Sequence, residues 1–200
     1  MSRAARKNSR LTRCALAGLL AVLVPVGCSP ESDDSRGPDV EGADQAAAPG
    51  EIPVVDESGL RQLLEEKRGT PLLLNLWAMW CGPCVAELPH LQAAAAAHAA
   101  DGLEVVALNM ELMAPGFTVE SVQEDLPDFV AERQLDLPWV IYSEDDVGPL
   151  AEWFDVSIAL PVTVVIRRDG SIVNTHQGFA SEEEFLELAE QALGAPVDGR

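Results

Sequence analysis

Residues 72–91 read LLLNLWAMWCGPCVAELPHL, and this stretch decides the fold. Leu72 to Ala78 is almost continuously apolar, the pattern of a strand buried on both faces. It breaks at Trp80-Cys81-Gly82-Pro83-Cys84, after which Val85, Leu88 and Leu91 recur at helical spacing. Cys81 therefore stands where a helix begins. The unpaired N–H groups and positive dipole end there favour thiolate over thiol, and only the thiolate attacks a disulfide. Cys84 follows one helical turn later, within reach of an intramolecular disulfide. Pro83 suits a first helical turn, where its missing N–H has no partner to lose.

The spacing resembles the Cys-x-x-Cys chemistry of thioredoxin. More narrowly, NLWAMWCGPCVAELPHL resembles the membrane-anchored, extracytoplasmic thioredoxin-like proteins of bacteria, the TlpA/ResA type, and the resemblance covers roughly residues 52–193. It implies an α/β fold: a thioredoxin-like three-layer sandwich with a mixed central sheet, enlarged by a helix-strand insertion. The bland reading of the pair is a metal half-site or two buried cysteines. A tetrahedral zinc site needs two further ligands, and His90, His98 and His176 show no ligand-like spacing with Cys81 and Cys84. Haem attachment fails because Val85, not histidine, follows Cys84. No metal and no cofactor is expected beyond the redox pair itself.

The chain has 200 residues and a formal net charge of −20. Five of its 13 basic residues precede Cys28, leaving eight against all 33 acidic residues. Nucleic-acid binding, which needs Lys/Arg clusters, is excluded on this composition. The acidity reads as a solvated surface or a face for a basic protein.

Residues 1–28 read as a secretory leader: five positive charges, then an apolar run from Cys14 to Gly27 that is short for a spanning helix of ~20 residues. Val-Pro-Val-Gly-Cys at 24–28 resembles a bacterial lipoprotein signal, with Cys28 as the lipidated residue and membrane anchor, although Pro25 departs from the aliphatic residue expected there. The alternative is a plain cleaved signal or an uncleaved anchor. Residues 29–50 carry almost no large apolar side chain and read as a flexible acidic tether. The thioredoxin-like domain is placed at 51–195.

Within it, strands are expected over 52–55, 72–78, 103–110, 139–142, 162–168 and 171–177. Helices are expected over 57–68, 82 to about 100, 118–135, 147–154 and after Ser181. Pro89 should kink the second helix, and Pro127 is placed to split the third. The helix and strand at 118–142 have no counterpart in plain thioredoxin and match the insertion of the narrower family. Met110 and Met113 read as strand-end core packing in preference to a Cu(I) site. Ser181-x-x-Glu184 is a capping box opening the last helix.

The resemblance implies the site residues. Cys81 is the nucleophile and Cys84 the resolving cysteine. Trp80, Gly82, Pro83, Leu160 and Pro161 form the substrate-binding surface, with Pro161 in the cis position that faces the redox pair and Trp77 in the core. Thioredoxin keeps a buried aspartate in the strand before its motif; the matching residue here is Asn75, which cannot titrate. Glu87 lies three residues past Cys84 on the same helix face, where the family carries an acidic residue, and is the candidate base. Partial burial beside the cysteines should raise its pKa by desolvation and thiolate repulsion; the alternative is a surface carboxylate.

Gly82-Pro83 resembles reducing members such as thioredoxin, at about −270 mV, more than the oxidant DsbA at about −120 mV. The expected activity is reduction of partner-protein disulfides. Electrons would come from an upstream thiol donor, a membrane protein. Apocytochrome thiols awaiting haem are a family-typical substrate. A thiol oxidase or isomerase on the same fold, and a non-catalytic peptide-binding module, are the competing readings; a peroxidase and a copper chaperone are weaker ones.

Overall fold

The computed structural model describes residues 51–194. The expected leader, lipidated Cys28 and acidic tether lie outside these residues. Six strands form one mixed sheet in the order β1-β4-β3-β2-β5-β6. They are β1 (Val54–Val55), β2 (Leu72–Trp77), β3 (Glu104–Asn109), β4 (Trp139–Tyr142), β5 (Val162–Ile166) and β6 (Ile172–Gln177). The helices are α1 (Glu57–Glu66), α2 (Gly82–Ala97), α3 (Val119–Glu132), α4 (Gly148–Phe154) and α5 (Glu182–Leu193). β1, β4, β3 and β2 run parallel, while β5 and β6 are antiparallel additions.

β2 is central and buried at every position. Its alternation sorts two cores. Leu73 and Trp77 face one side with Leu88 and Leu91 of α2, Val122 and Leu126 of α3, and Phe185 and Leu188 of α5. Leu72, Leu74 and Leu76 face the other with Leu60 of α1 and Leu150 and Phe154 of α4. Helices therefore cover both faces, giving the three layers expected for a largely parallel sheet. The inserted strand β4 lies between β1 and β3, so the insertion widens the sheet from within. Met110 is buried in the second core, and Met113 packs against it.

One expectation about proline needs correcting, the split of α3 at Pro127. α3 is one continuous helix, and α2 likewise runs through Pro89 as one helix. Both prolines lie on the solvent side. The carbonyl that each leaves without an intrahelical donor can bond to water there, so the helix survives its loss. α2 also stops earlier than expected, at Ala97, and a short 3-10 turn over Ala99–Asp101 leads to Gly102 at φ 81°.

The capping box of α5 is formed as read. Glu184 N–H donates to Ser181 Oγ at 3.3 Å, and Ser181 N–H donates to the Glu184 carboxylate at 2.8 Å. Replacing fully buried Leu74 by Ala should cost about 2–5 kcal/mol, and Ser181→Ala about 1 kcal/mol. Urea unfolding should show both as lower midpoints at an unchanged slope; a smaller loss at Leu74 than at Ser181 would contradict this picture of the core.

Candidate active site

The site lies at the carboxyl end of β2. The chain leaves the sheet at Trp77, turns with Cys81 N–H donating to Ala78 O at 3.1 Å, and enters α2. Cys81 is the N-cap of α2, and Cys84 N–H donates to its Sγ at 3.3 Å. The helix thus aims a backbone donor at the Cys81 sulfur, a position that favours negative charge there. Cys81 and Cys84 form a disulfide. Cys81 retains 6 % exposure and Cys84 none, so an incoming sulfur reaches Cys81 first.

Leu160-Pro161 is a cis peptide. Val162 pairs with Leu76, which places Pro161 opposite the end of β2, where the cysteine turn begins. Pro161 O accepts from Gly178 N at 2.9 Å. Pro161 is buried and Leu160 half-buried, while Gly82 and Pro83 are exposed on the first turn of α2. Trp80 is 46 % exposed next to Cys81, whereas Trp77 is fully buried against Trp139 and Phe129. Phe179, also 46 % exposed, was not singled out by sequence; nothing local marks an aromatic there as different from any other loop residue.

Glu87 is fully buried, deeper than the partial burial expected of it. Asn75 Nδ2 donates to Glu87 Oε1 at 2.9 Å and to Thr163 Oγ1 at 3.0 Å. Ala180 N–H donates to Glu87 Oε2 at 2.9 Å. Asn75 thus occupies the strand position expected of it but serves the carboxylate as a donor, leaving its own Oδ1 without a partner among the described residues. Desolvation raises the Glu87 pKa to about 7, against the pull of these two donors. Thiolate repulsion, the second cause expected, is absent here because both sulfurs are in the disulfide.

A second buried carboxylate was missed. Glu111, 1 % exposed, follows β3 and accepts from Met79 N–H at 2.8 Å. Its burial follows from where β3 ends relative to β2, a tertiary fact with no signature in its neighbours. Among the described residues no cluster of three or more His, Cys, Asp or Glu is arranged to hold a metal ion, and no helix is long and apolar enough to cross a membrane.

A disulfide at a helix start, with one sulfur partly open and the other buried, and a buried carboxylate one turn further along the helix form the candidate dithiol–disulfide exchange site. The Redoxin family model matches residues 36–193. Sporulation thiol-disulfide oxidoreductase A of Bacillus subtilis is 28 % identical over 124 residues, 62 % of this chain and 69 % of that protein. Thiol-disulfide oxidoreductase ResA of Halalkalibacterium halodurans is 32 % identical over 128 residues, 62 % of this chain and 65 % of that one. A secreted thiol-disulfide isomerase from Corynebacterium glutamicum superposes with a TM-score of 0.52 at 20 % identity, over 65 % of this chain and 75 % of that one, which supports the fold. The chain belongs to the Redoxin family, as a thioredoxin-like protein of the TlpA/ResA type. Its class of activity is thiol-disulfide oxidoreduction.

A carboxyl whose folded-state pKa lies above its unfolded value keeps a proton in the folded chain that the unfolded chain has released. Glu87 should therefore favour folding most at low pH and lose that contribution as pH rises from 4.5 to about 7. The oxidised protein should lose on the order of 3 kcal/mol relative to its Glu87→Gln variant between pH 4.5 and 8. Denaturant unfolding of both at fixed salt checks this; parallel pH profiles would contradict it.

Proposed function

We propose that the protein reduces disulfides of partner proteins outside the cytoplasm. Cys81 thiolate attacks a partner disulfide, forms a mixed disulfide and expels one partner thiolate. Cys84 then attacks Cys81 Sγ. The second partner thiolate leaves, and Cys81–Cys84 is oxidised by two electrons. The proton of Cys84 passes to Glu87, one turn further along α2, whose pKa near 7 suits a base at neutral pH. Two of the four lone-pair positions of that carboxylate are taken by Asn75 and Ala180, leaving capacity for a proton.

The observation that carries this reading is the asymmetry of the pair: Cys81 is capped by a helix N–H and open to a partner, while Cys84 is closed off. Trp80, Gly82, Pro83, Leu160 and Pro161 are assigned as the surface for the partner segment around its half-cystine. The two electrons reside in the dithiol, so the cycle calls for no bound cofactor. An upstream thiol donor, a membrane protein, must return them. The charge-led leader and the Gly27-Cys28 pattern support export and lipidation at Cys28, with residues 29–50 as tether and 51–195 as the working domain.

Cys84→Ser should accumulate mixed disulfides on Cys81 that run as discrete bands on a non-reducing gel and vanish with dithiothreitol. Cys81→Ser should accumulate none. The Cys81/Cys84 reduction potential should lie near or below about −230 mV. A value of about −120 to −180 mV would transfer the assignment to oxidase or isomerase.

A further inference from the structure

Two residues beyond the end of β3, Glu111 makes a second contact with the active-site turn. Its carboxylate accepts from Met79 N–H at 2.8 Å and from Asn109 Nδ2 at 3.4 Å. Its carbonyl oxygen accepts from the Trp80 indole Nε1–H at 3.4 Å. Its own N–H donates to Asn109 Oδ1 at 3.1 Å, which ties the residue to the end of β3. One backbone step earlier, Met110 N–H donates to Trp77 O at 2.7 Å. Residue 111 thus grips both residues that precede Cys81, one through its side chain and one through its main chain.

From this geometry we infer that Glu111 is a positioning residue for Cys81: it fixes the Met79-Trp80 turn and places a negative charge behind the nucleophile. The inference rests on Cys81 being the attacking thiol. It divides the work between two buried carboxylates, Glu87 on the side of Cys84 and Glu111 on the approach to Cys81. A charge so placed opposes the thiolate, working against the helix N-terminus that favours it.

The surroundings are acidic and partly buried, which works against full ionisation of Glu111. Glu111 lines a groove with Trp80, Phe117 and Phe129 whose other wall carries Asp125 and Asp128 of α3. Burial holds the Glu111 carboxyl above the usual carboxylate range, and Asp125 adds to the rise. From α3 the facing titratable groups are Asp125, Asp128 and Glu132, and the cation beyond them, Arg133, lies over the Phe129 ring at 3.7 Å. β3 and the Met79-Trp80 turn present no titratable group to it, only Asn109 and backbone donors.

The test uses the reduced protein, Glu111→Gln and Glu111→Ala, with Cys81→Ser as control. Iodoacetamide alkylation is followed against pH, and the Trp80 indole 15N–1H resonance is recorded. Gln keeps an acceptor for Met79 N–H but removes the charge. It should leave the Trp80 resonance in place and lower the Cys81 midpoint by about 0.3–1 pH unit. Ala should move the Trp80 resonance and cut kcat/KM for a protein disulfide about tenfold, a loss that Gln largely restores. If Cys81 alkylates at the same midpoint in Gln as in the parent, the charge role is overturned, and Gln remains informative should Ala fail to fold. An unmoved Trp80 resonance in folded Ala would overturn the positioning role. If Cys81→Ser retains the fast-reacting thiol, the nucleophile assignment itself fails, an outcome distinct from both.

Discussion

A carboxylate with no solvent exposure is costly to keep inside a protein, and the Glu87 carboxylate is where three parts of this chain meet. The residue comes from α2, Asn75 reaches it from the central strand, and Ala180 reaches it from the turn before α5. Each donor offsets part of the desolvation, and neither is free to leave without stranding the charge. The result ties the first turns of α2 to the sheet and to the last helix. Cys84 sits one turn earlier on the same helix, so whatever fixes Glu87 also fixes the resolving sulfur.

The two cysteines acquire different chemistry from this arrangement although they lie only three residues apart. Cys81 is at the helix start, with Cys84 N–H directed at its sulfur and a small opening to solvent. Cys84 is inside, near a group whose proton affinity burial has brought close to neutrality. The proposed division of labour, attack at the first sulfur and deprotonation at the second, rests on this difference in exposure. The turn before Cys81 is held from the other side, since Glu111 accepts from Met79 N–H and from the Trp80 indole N–H.

Much of this was readable in the chain. The apolar run 72–78 announced a strand covered on both faces, and its two cores are what that pattern requires. Ser181-x-x-Glu184 announced the start of α5 because a cap is a local device. Glu87 was reached by helical spacing and by family likeness, and cis Pro161 by family likeness alone. What escaped was tertiary. The depth of Glu87 depends on donors 12 and 93 residues away along the chain. Glu111 looks like any strand-end acid until β3 is laid beside β2. Pro127 was overread because local rules do not say which side of a helix meets water.

The proposed proton transfer depends on the protonation of one buried group, and the most direct measurement is a 13C NMR titration of the Glu87 side-chain carboxyl in the oxidised protein. A midpoint near 7 is the expected result, with the donors from Asn75 and Ala180 in place. A midpoint near the ordinary 4.5 would mean that Glu87 is ionised throughout the neutral range and takes no proton from Cys84, and the proton-acceptor role would have to pass to another group.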